Sequence, residues 1–232
     1  AICITDHFHV IQELNRRVDR VRIRVQNRFR KTINTLKPKN NNKTITPEEL
    51  IELEEASRYY YVLKKFNWLL ASTNKKILDV NVERRFNHRL NRYLNYSEIL
   101  AYMLAIDDEL EEAFYLRNDV TYFYDHCTYD TAKKQLEKII IDFRSSTVAE
   151  MSPFANTLTN WKKEIINSFI IVDEKSNRKM NTAIVENRNK SIKLLKHASN
   201  GYLNWERFRN RILYTLNEDT TFYYTSIRKD GK

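Results

Sequence analysis

The chain has 232 residues, with 40 Lys+Arg against 30 Asp+Glu, so 40 − 30 leaves a formal charge of +10. Only 2 glycines and 3 prolines occur, which excludes folds that need glycine at turns and phosphate loops: dinucleotide-binding domains, P-loop enzymes and β-sandwiches. Apolar residues at 42% and aromatics at 12% supply a core, so a disordered chain is excluded as well. A mainly all-α protein of long amphipathic helices and polar loops is the expectation. Cys3 and Cys127 form no Cys-x-x-Cys pair. A single disulfide is open to them, but a reduced intracellular protein is the preferred reading. No apolar run reaches the ~20 residues of a membrane helix, and no basic leader precedes an apolar core. A soluble, cytosolic protein that does not span a membrane is expected.

In chain order, Ala1–Ile4 reads as the end of a short strand. Ile11, Leu14, Val18, Val21, Val25, Phe29, Ile33 and Leu36 recur at three- and four-residue spacing, which predicts one helix from His7 to Leu36. Its other side carries Arg16, Arg17, Arg20, Arg22, Arg24, Arg28, Arg30 and Lys31, and between residues 16 and 31 only Asp19 opposes them. Residues 37–46 read as a polar loop. Thr46-Pro47-Glu48-Glu49 has the pattern of an N-cap, a first-turn proline and first-turn acids, opening a helix to about Ala71. Residues 72–96 are expected to hold a short helix with loops. Ser97 is a candidate cap for the next helix. From Glu98 to Asp125 eight acidic residues meet one basic residue, Arg117, so the positive charge is segregated along the chain. Further helices are predicted over Thr131–Arg144, from Ser152-Pro153 past Trp161 to Ile171, over Asn181–Ser199 ending at Gly201, and after an Asn204 cap. The tail from Asn217 to Lys232 carries no clear pattern. The aromatic runs Tyr59-Tyr60-Tyr61 and Tyr122-Phe123-Tyr124 read as helix packing rather than base-stacking platforms.

Two regions have the composition for chemistry. Between Lys175 and Arg211 ten Lys/Arg face two Glu, a net +8 over 37 residues. Within it Glu186, Lys190, Lys193 and His197 are spaced by four, three and four, so they share one helix face. Two readings stay open: an exposed i,i+4 pair, or a metal-ligating carboxylate beside phosphate-holding lysines. The second region is the stripe of Arg17, Arg20, Arg24 and Arg28 with Lys31, either a solvated face or a row of phosphate contacts. Asp6, His7 and His9 at one end, and Asp125, His126 and Cys127 elsewhere, lack the recurring spacing of a zinc site.

Three motifs in order then carry a resemblance. The stretch Asn181-Thr-Ala-Ile-Val-Glu186-Asn187-Arg-Asn189-Lys-Ser-Ile-Lys193-Leu-Leu-Lys196, the later Phe208-Arg209-Asn210-Arg211-Ile212-Leu213 and the early Asp6-His7-Phe8-His9-Val10 are similar to signatures of bacterial insertion-sequence transposases. The branch they resemble is the IS-L-three family of the DDE class, over nearly the whole chain. Asp19-Arg20-Val21-Arg22, Phe114-Tyr115-Leu116-Arg117 and the run from Phe154 through Trp161 to Phe169 also fit. The chain departs at Asn187, where the family has glycine, and at Lys196-His197, where it has Lys-Arg.

The resemblance implies a ribonuclease-H-like core whose three carboxylates hold two Mg²⁺ ions for cutting and joining DNA. Glu186 would be the third carboxylate, with two Asp residues expected upstream of this chain, so that this chain alone is expected to be inactive. It implies DNA contacts from Arg17, Arg20, Arg24, Arg28, Lys190, Lys193, Lys196, Arg209 and Arg211, and motif roles for Asp6, His9 and Asn189, with a structural or DNA-positioning role preferred for Asp6. The implied partners are transposon-end DNA and a second copy of the protein, not a small-molecule substrate, in the bacterial cytoplasm. The implied organisation is a strand end and long basic helix over 1–36, a helical insertion over 37–171, and C-terminal core helices with the Glu186 motif over 172–232. Two rival readings are a non-catalytic helical nucleic-acid-binding module and a protein-interaction scaffold using the acidic block.

Overall fold

Asp6 ends an extended segment and starts the longest helix of the computed structural model, which describes residues 2–37, 45–173, 175, 178–180, 182–199, 201 and 203–216. The Asp6 carboxylate accepts the Phe8 backbone N–H at 2.9 Å, an N-cap that satisfies one orphan donor of helix α1, His7–Leu36. The apolar stripe read from the sequence is the buried one: Leu14, Val21 and Val25 are fully buried, with Val10, Val18 and Ile33 nearly so. Each such side chain contributes about 1.5–3 kcal/mol of burial, so α1 is the spine of the core.

Thr46 and Glu49 form a reciprocal capping box at the start of α2, Pro47–Lys65, as the sequence pattern predicts. The helix does not continue smoothly to Ala71. It breaks at Phe66, whose φ/ψ of −109°/19° is not helical, and a 3-10 helix Asn67–Ala71 follows. The break allows Phe66, Leu69 and Leu70 all to be buried. The expected short helix in 72–96 is replaced by a hairpin, β1 (Arg85–Asn87) with β2 (Arg92–Leu94), paired Phe86 to Tyr93. The Asn87 side chain accepts the N–H groups of Arg89 and Leu90, and Asn91 takes φ +51°, a region asparagine tolerates. Buried Leu90 anchors this turn to the core.

Asn95, not Ser97, caps α3 (Tyr96–Leu104), again as a capping box with Glu98. Asp107 caps α4 (Asp108–His126), and α5 spans Tyr129–Ser145. The single helix expected from Pro153 to Ile171 is instead α6 (Phe154–Asn160) and α7 (Lys162–Asn167), interrupted at Trp161 and followed by β3 (Ile171–Asp173). β3 pairs antiparallel with β4 (Arg178–Lys179) as a second hairpin. Among the described residues strands occur only in these two hairpins, and helices dominate. Residues 2–4, expected as a strand end, have no strand partner among the described residues.

The last helices are α8 (Ala183–Ala198) and α9 (Trp205–Leu216). Gly201 has φ +95° and sends its N–H back to the Lys196 carbonyl at 3.1 Å, and the Asn204 side chain accepts the Arg207 N–H at 3.0 Å. Residues 38–44 of the predicted loop and the tail 217–232 lie outside the described residues. The chain divides into two units, Ala1–Met180 and Asn181–Lys232.

Candidate functional site

Glu186 lies in the first turn of α8, where its carboxylate favours the positive end of the helix and accepts the Thr182 hydroxyl at 3.0 Å. Glu186, Lys190, Lys193 and His197 are all exposed, and the observed helix sets their four-three-four spacing along one face. Arg188, Asn189 and Lys196 are exposed too, as are Arg209 and Arg211 on α9. Among the described residues this unit therefore presents two carboxylates, Glu186 and Glu206, among many cations. Its apolar groups are open as well: Leu194, Leu203, Trp205 and Leu213 are exposed, and α9 has no buried residue.

The arginine stripe of α1 is divided by its surroundings. Arg17 donates to Glu13 at 3.1 Å and to the Glu150 carbonyl at 2.7 Å, with its guanidinium 5.2 Å from the centre of the Phe154 ring. Arg24 grips Glu150 and also pairs with Glu109, and Arg28 pairs with Asp107. Arg24's own bonds pull the Glu150 carboxyl below the usual carboxylate range, and Glu150 with Glu109 raises the already high value of Arg24. The acidic block thus does two things at once. Asp108, Glu109 and Glu111 complement the N-terminal dipole of α4, while Asp107 and Glu109 neutralise α1. Of the four α1 arginines proposed from the sequence, Arg20 and Arg28 are exposed, and Arg28 is paired with Asp107.

Two further arginines are structural. Arg22 is buried and donates to Asp19 at 2.7 Å and to the Leu63 carbonyl at 3.1 Å, tying α1 to α2. Arg117 is 2% exposed and donates to Asn15, Asn118 and the Ala71 carbonyl, each at 2.9 Å. Its desolvation lowers its affinity for the proton, and three acceptors offset that loss. Lys179 donates to the Tyr124 and Cys127 carbonyls at 3.0 and 3.4 Å, and its ammonium lies 4.6 Å from the Phe169 ring centre. It occupies the C-terminal end of α4, where a cation is favoured.

Asp6 is a helix cap, with His7 Nδ1 3.4 Å from its carboxylate. Burial, reinforced by the Asp6 charge, pushes the Tyr124 hydroxyl above its ordinary range. Of the predicted aromatic core runs, Phe123 and Tyr124 pack on Phe169, while Tyr122 is exposed and stacks on His126 at 3.9 Å. Cys3 and Cys127 are free thiols. Among the described residues no group of three or more His, Cys, Asp or Glu converges as a metal site, and no helix is long and apolar enough to cross a membrane.

The profile of a transposase family matches residues 1–212. No characterised relative and no solved structure matches the chain. The match runs from the Asp6 cap through the helical body to the arginines of α9, spanning the motifs quoted above except the final Leu213, and the chain belongs to the IS-L-three family of transposases.

Proposed function

We propose that this chain is the C-terminal part of a DDE transposase and that Glu186 is the third of its three metal carboxylates. The observation that carries the reading is the family match over residues 1–212, together with Glu186 standing exposed at the head of a lysine-bearing helix face. In a two-metal site the ions clamp the attacking and leaving oxygens of a phosphodiester. The described residues do not form such a site alone, because Glu186 has no two further carboxylates beside it. The reading therefore needs two carboxylates from upstream sequence, with Mg²⁺ bound only when all three meet.

In this reading the surrounding cations do the work of binding. Lys190, Lys193 and Lys196 on α8, and Arg209 and Arg211 on α9, neutralise phosphates of the transposon end, with Arg20 on α1 as an outlying contact. Asn189 follows the carboxylate on the same helix and helps position the strand. Asp6 holds α1 in place, and His9 belongs to that same cap region. Arg17, Arg24 and Arg28 hold the helical body together through their acidic partners. The open apolar groups of α8 and α9 are consistent with helices that pack onto a larger core, and a second copy of the protein completes the assembly on DNA.

The test uses the protein with its upstream sequence restored and a labelled transposon end with Mg²⁺. Glu186→Gln is expected to abolish donor-end cleavage while DNA binding persists. Unchanged cleavage in that variant removes Glu186 from the site.

A further inference from the structure

At the end of α1 remote from Asp6, the last turns of α1 and α2 and the turn of the β1–β2 hairpin enclose an open cleft of about 720 Å³. Five cationic side chains line it: Arg30 and Lys37 from α1, Lys64 and Lys65 from α2, and Arg89 from the hairpin turn. No carboxylate lines the cleft among the described residues. Two and six residues before Arg30 on α1 the situation is opposite, since Arg28 and Arg24 are each paired with acids. Charge along this helix is thus sorted by place, with neutral pairs in the middle and unopposed cations at the end.

A bland origin accounts for only part of this. Lys64 and Lys65 complement the negative end of α2, but that does not bring Arg30 and Arg89 to the same hollow from two other elements. Like charges converge against their mutual repulsion, and a polyanion relieves it. The aromatic residues support the cations. The Lys64 ammonium lies 5.6 Å from the Tyr60 ring centre, and the Arg89 guanidinium lies 5.9 Å from that of Tyr61. With the rings holding the cations, the cleft offers phosphate neutralisation rather than base stacking.

We propose that this cleft seats consecutive phosphodiesters of a DNA strand, a contact in the Ala1–Met180 unit separate from the cations of α8 and α9. The choice of DNA as the polyanion rests on the transposase reading; the duplex and the single strand share the chemistry and are told apart by the test. The full chain is titrated with a labelled 30-nucleotide duplex and with one of its strands, over a series of salt concentrations. The variant carries Arg30→Ala, Lys64→Ala, Lys65→Ala and Arg89→Ala, leaving Lys37 because it is the α1 C-cap.

For four lost phosphate contacts the slope of log K against log salt is expected to fall by about 3–4 on duplex, and by somewhat less on the single strand. Affinity at fixed moderate salt falls at least tenfold, roughly, by the same relation. Lys64→Arg with Lys65→Arg keeps wild-type binding, and an unchanged thermal melt shows that the fold survives, since all four altered side chains are exposed. A loss on duplex alone assigns a double-stranded seat, and a loss on single strand alone assigns a single-stranded one. An unchanged slope and affinity on both overturns the proposal, as does a wild-type chain that fails to bind DNA at low salt. Retained cleavage in Glu186→Gln defeats the carboxylate assignment and leaves the cleft untouched, so the two failures are distinguishable.

Discussion

Arg24 and Glu150, 126 residues apart in sequence, meet as a two-pronged fork, with Nε to Oε1 at 2.8 Å and Nη2 to Oε2 at 3.0 Å. A planar guanidinium on a carboxylate fixes both direction and distance, so the pair pins the segment after α5 against α1. Arg24→Ala is expected to lower stability by about 1 kcal/mol, given that the pair is partly solvated. Denaturant titration of the two proteins measures it.

The same pair sets a pH dependence. Arg24's hydrogen bonds hold the Glu150 carboxyl below its ordinary range, about 4.3 for a free glutamate. Its contribution is therefore fully present above that ordinary value and is lost as pH falls through the lower folded value. The stability gap between wild type and Glu150→Gln should be constant above about pH 5 and shrink in acid. A gap independent of pH would contradict the assignment.

Arg117→Ala should be more damaging than any exposed arginine change. It removes three donors from Asn15, Asn118 and the Ala71 carbonyl, and it opens a hollow beneath α4. A loss of about 3 kcal/mol is expected. Arg117→Lys should recover little of it, because one compact ammonium cannot replace the planar fork at all three acceptors.

Asn95 separates two roles in one side chain. Its oxygen caps α3 at the Glu98 N–H, at 2.9 Å, while its amide donates to the Val80 and Val82 carbonyls at 3.0 and 3.3 Å. Asn95→Ala should cost about 2 kcal/mol, and Asn95→Ser should restore roughly 1 of these through the cap alone. Thermal melts of the three proteins decide whether the loop bonds matter independently.

Gly201→Ala tests the end of α8. A Cβ there would meet nothing within 4 Å, so the penalty is conformational, from φ +95°. About 1 kcal/mol is expected. Hydrogen exchange at position 201, whose N–H reaches Lys196, should speed up in proportion.

Local signals were legible in proportion to their length. The buried stripe of α1 repeats over 30 residues and marks both helix ends, and Thr46-Pro47 announces α2 through capping chemistry. The β1–β2 hairpin stayed hidden because three-residue strands present too little alternation, and its turn depends on side-chain bonds from Asn87. The helix break at Phe66 goes with the burial of Phe66, Leu69 and Leu70, a packing demand that no propensity encodes. Charge segregation was visible, but not its meaning. Arg24 reads from the sequence as a candidate DNA contact, and the fold adds what the sequence does not show, Glu109 and Glu150 set against it. Conversely, Arg30, Lys64 and Arg89 are scattered in sequence, and only the meeting of three elements makes them one cleft. The shared helix face of Glu186, Lys190, Lys193 and His197 was the exception, since a helix face is computable from spacing alone.

The extended segment before α1 docks on α7: the Thr5 N–H reaches the Glu164 carbonyl at 3.2 Å, and the Asn167 amide reaches the Cys3 carbonyl at 2.9 Å. The chain therefore enters the helical body and returns to the same spot some 160 residues later. A body closed in this way can be spliced into a surface loop of another fold, because its two ends present a gap no wider than a turn. The host need not stretch, and the long excursion adds only a slowly growing loop-closure term.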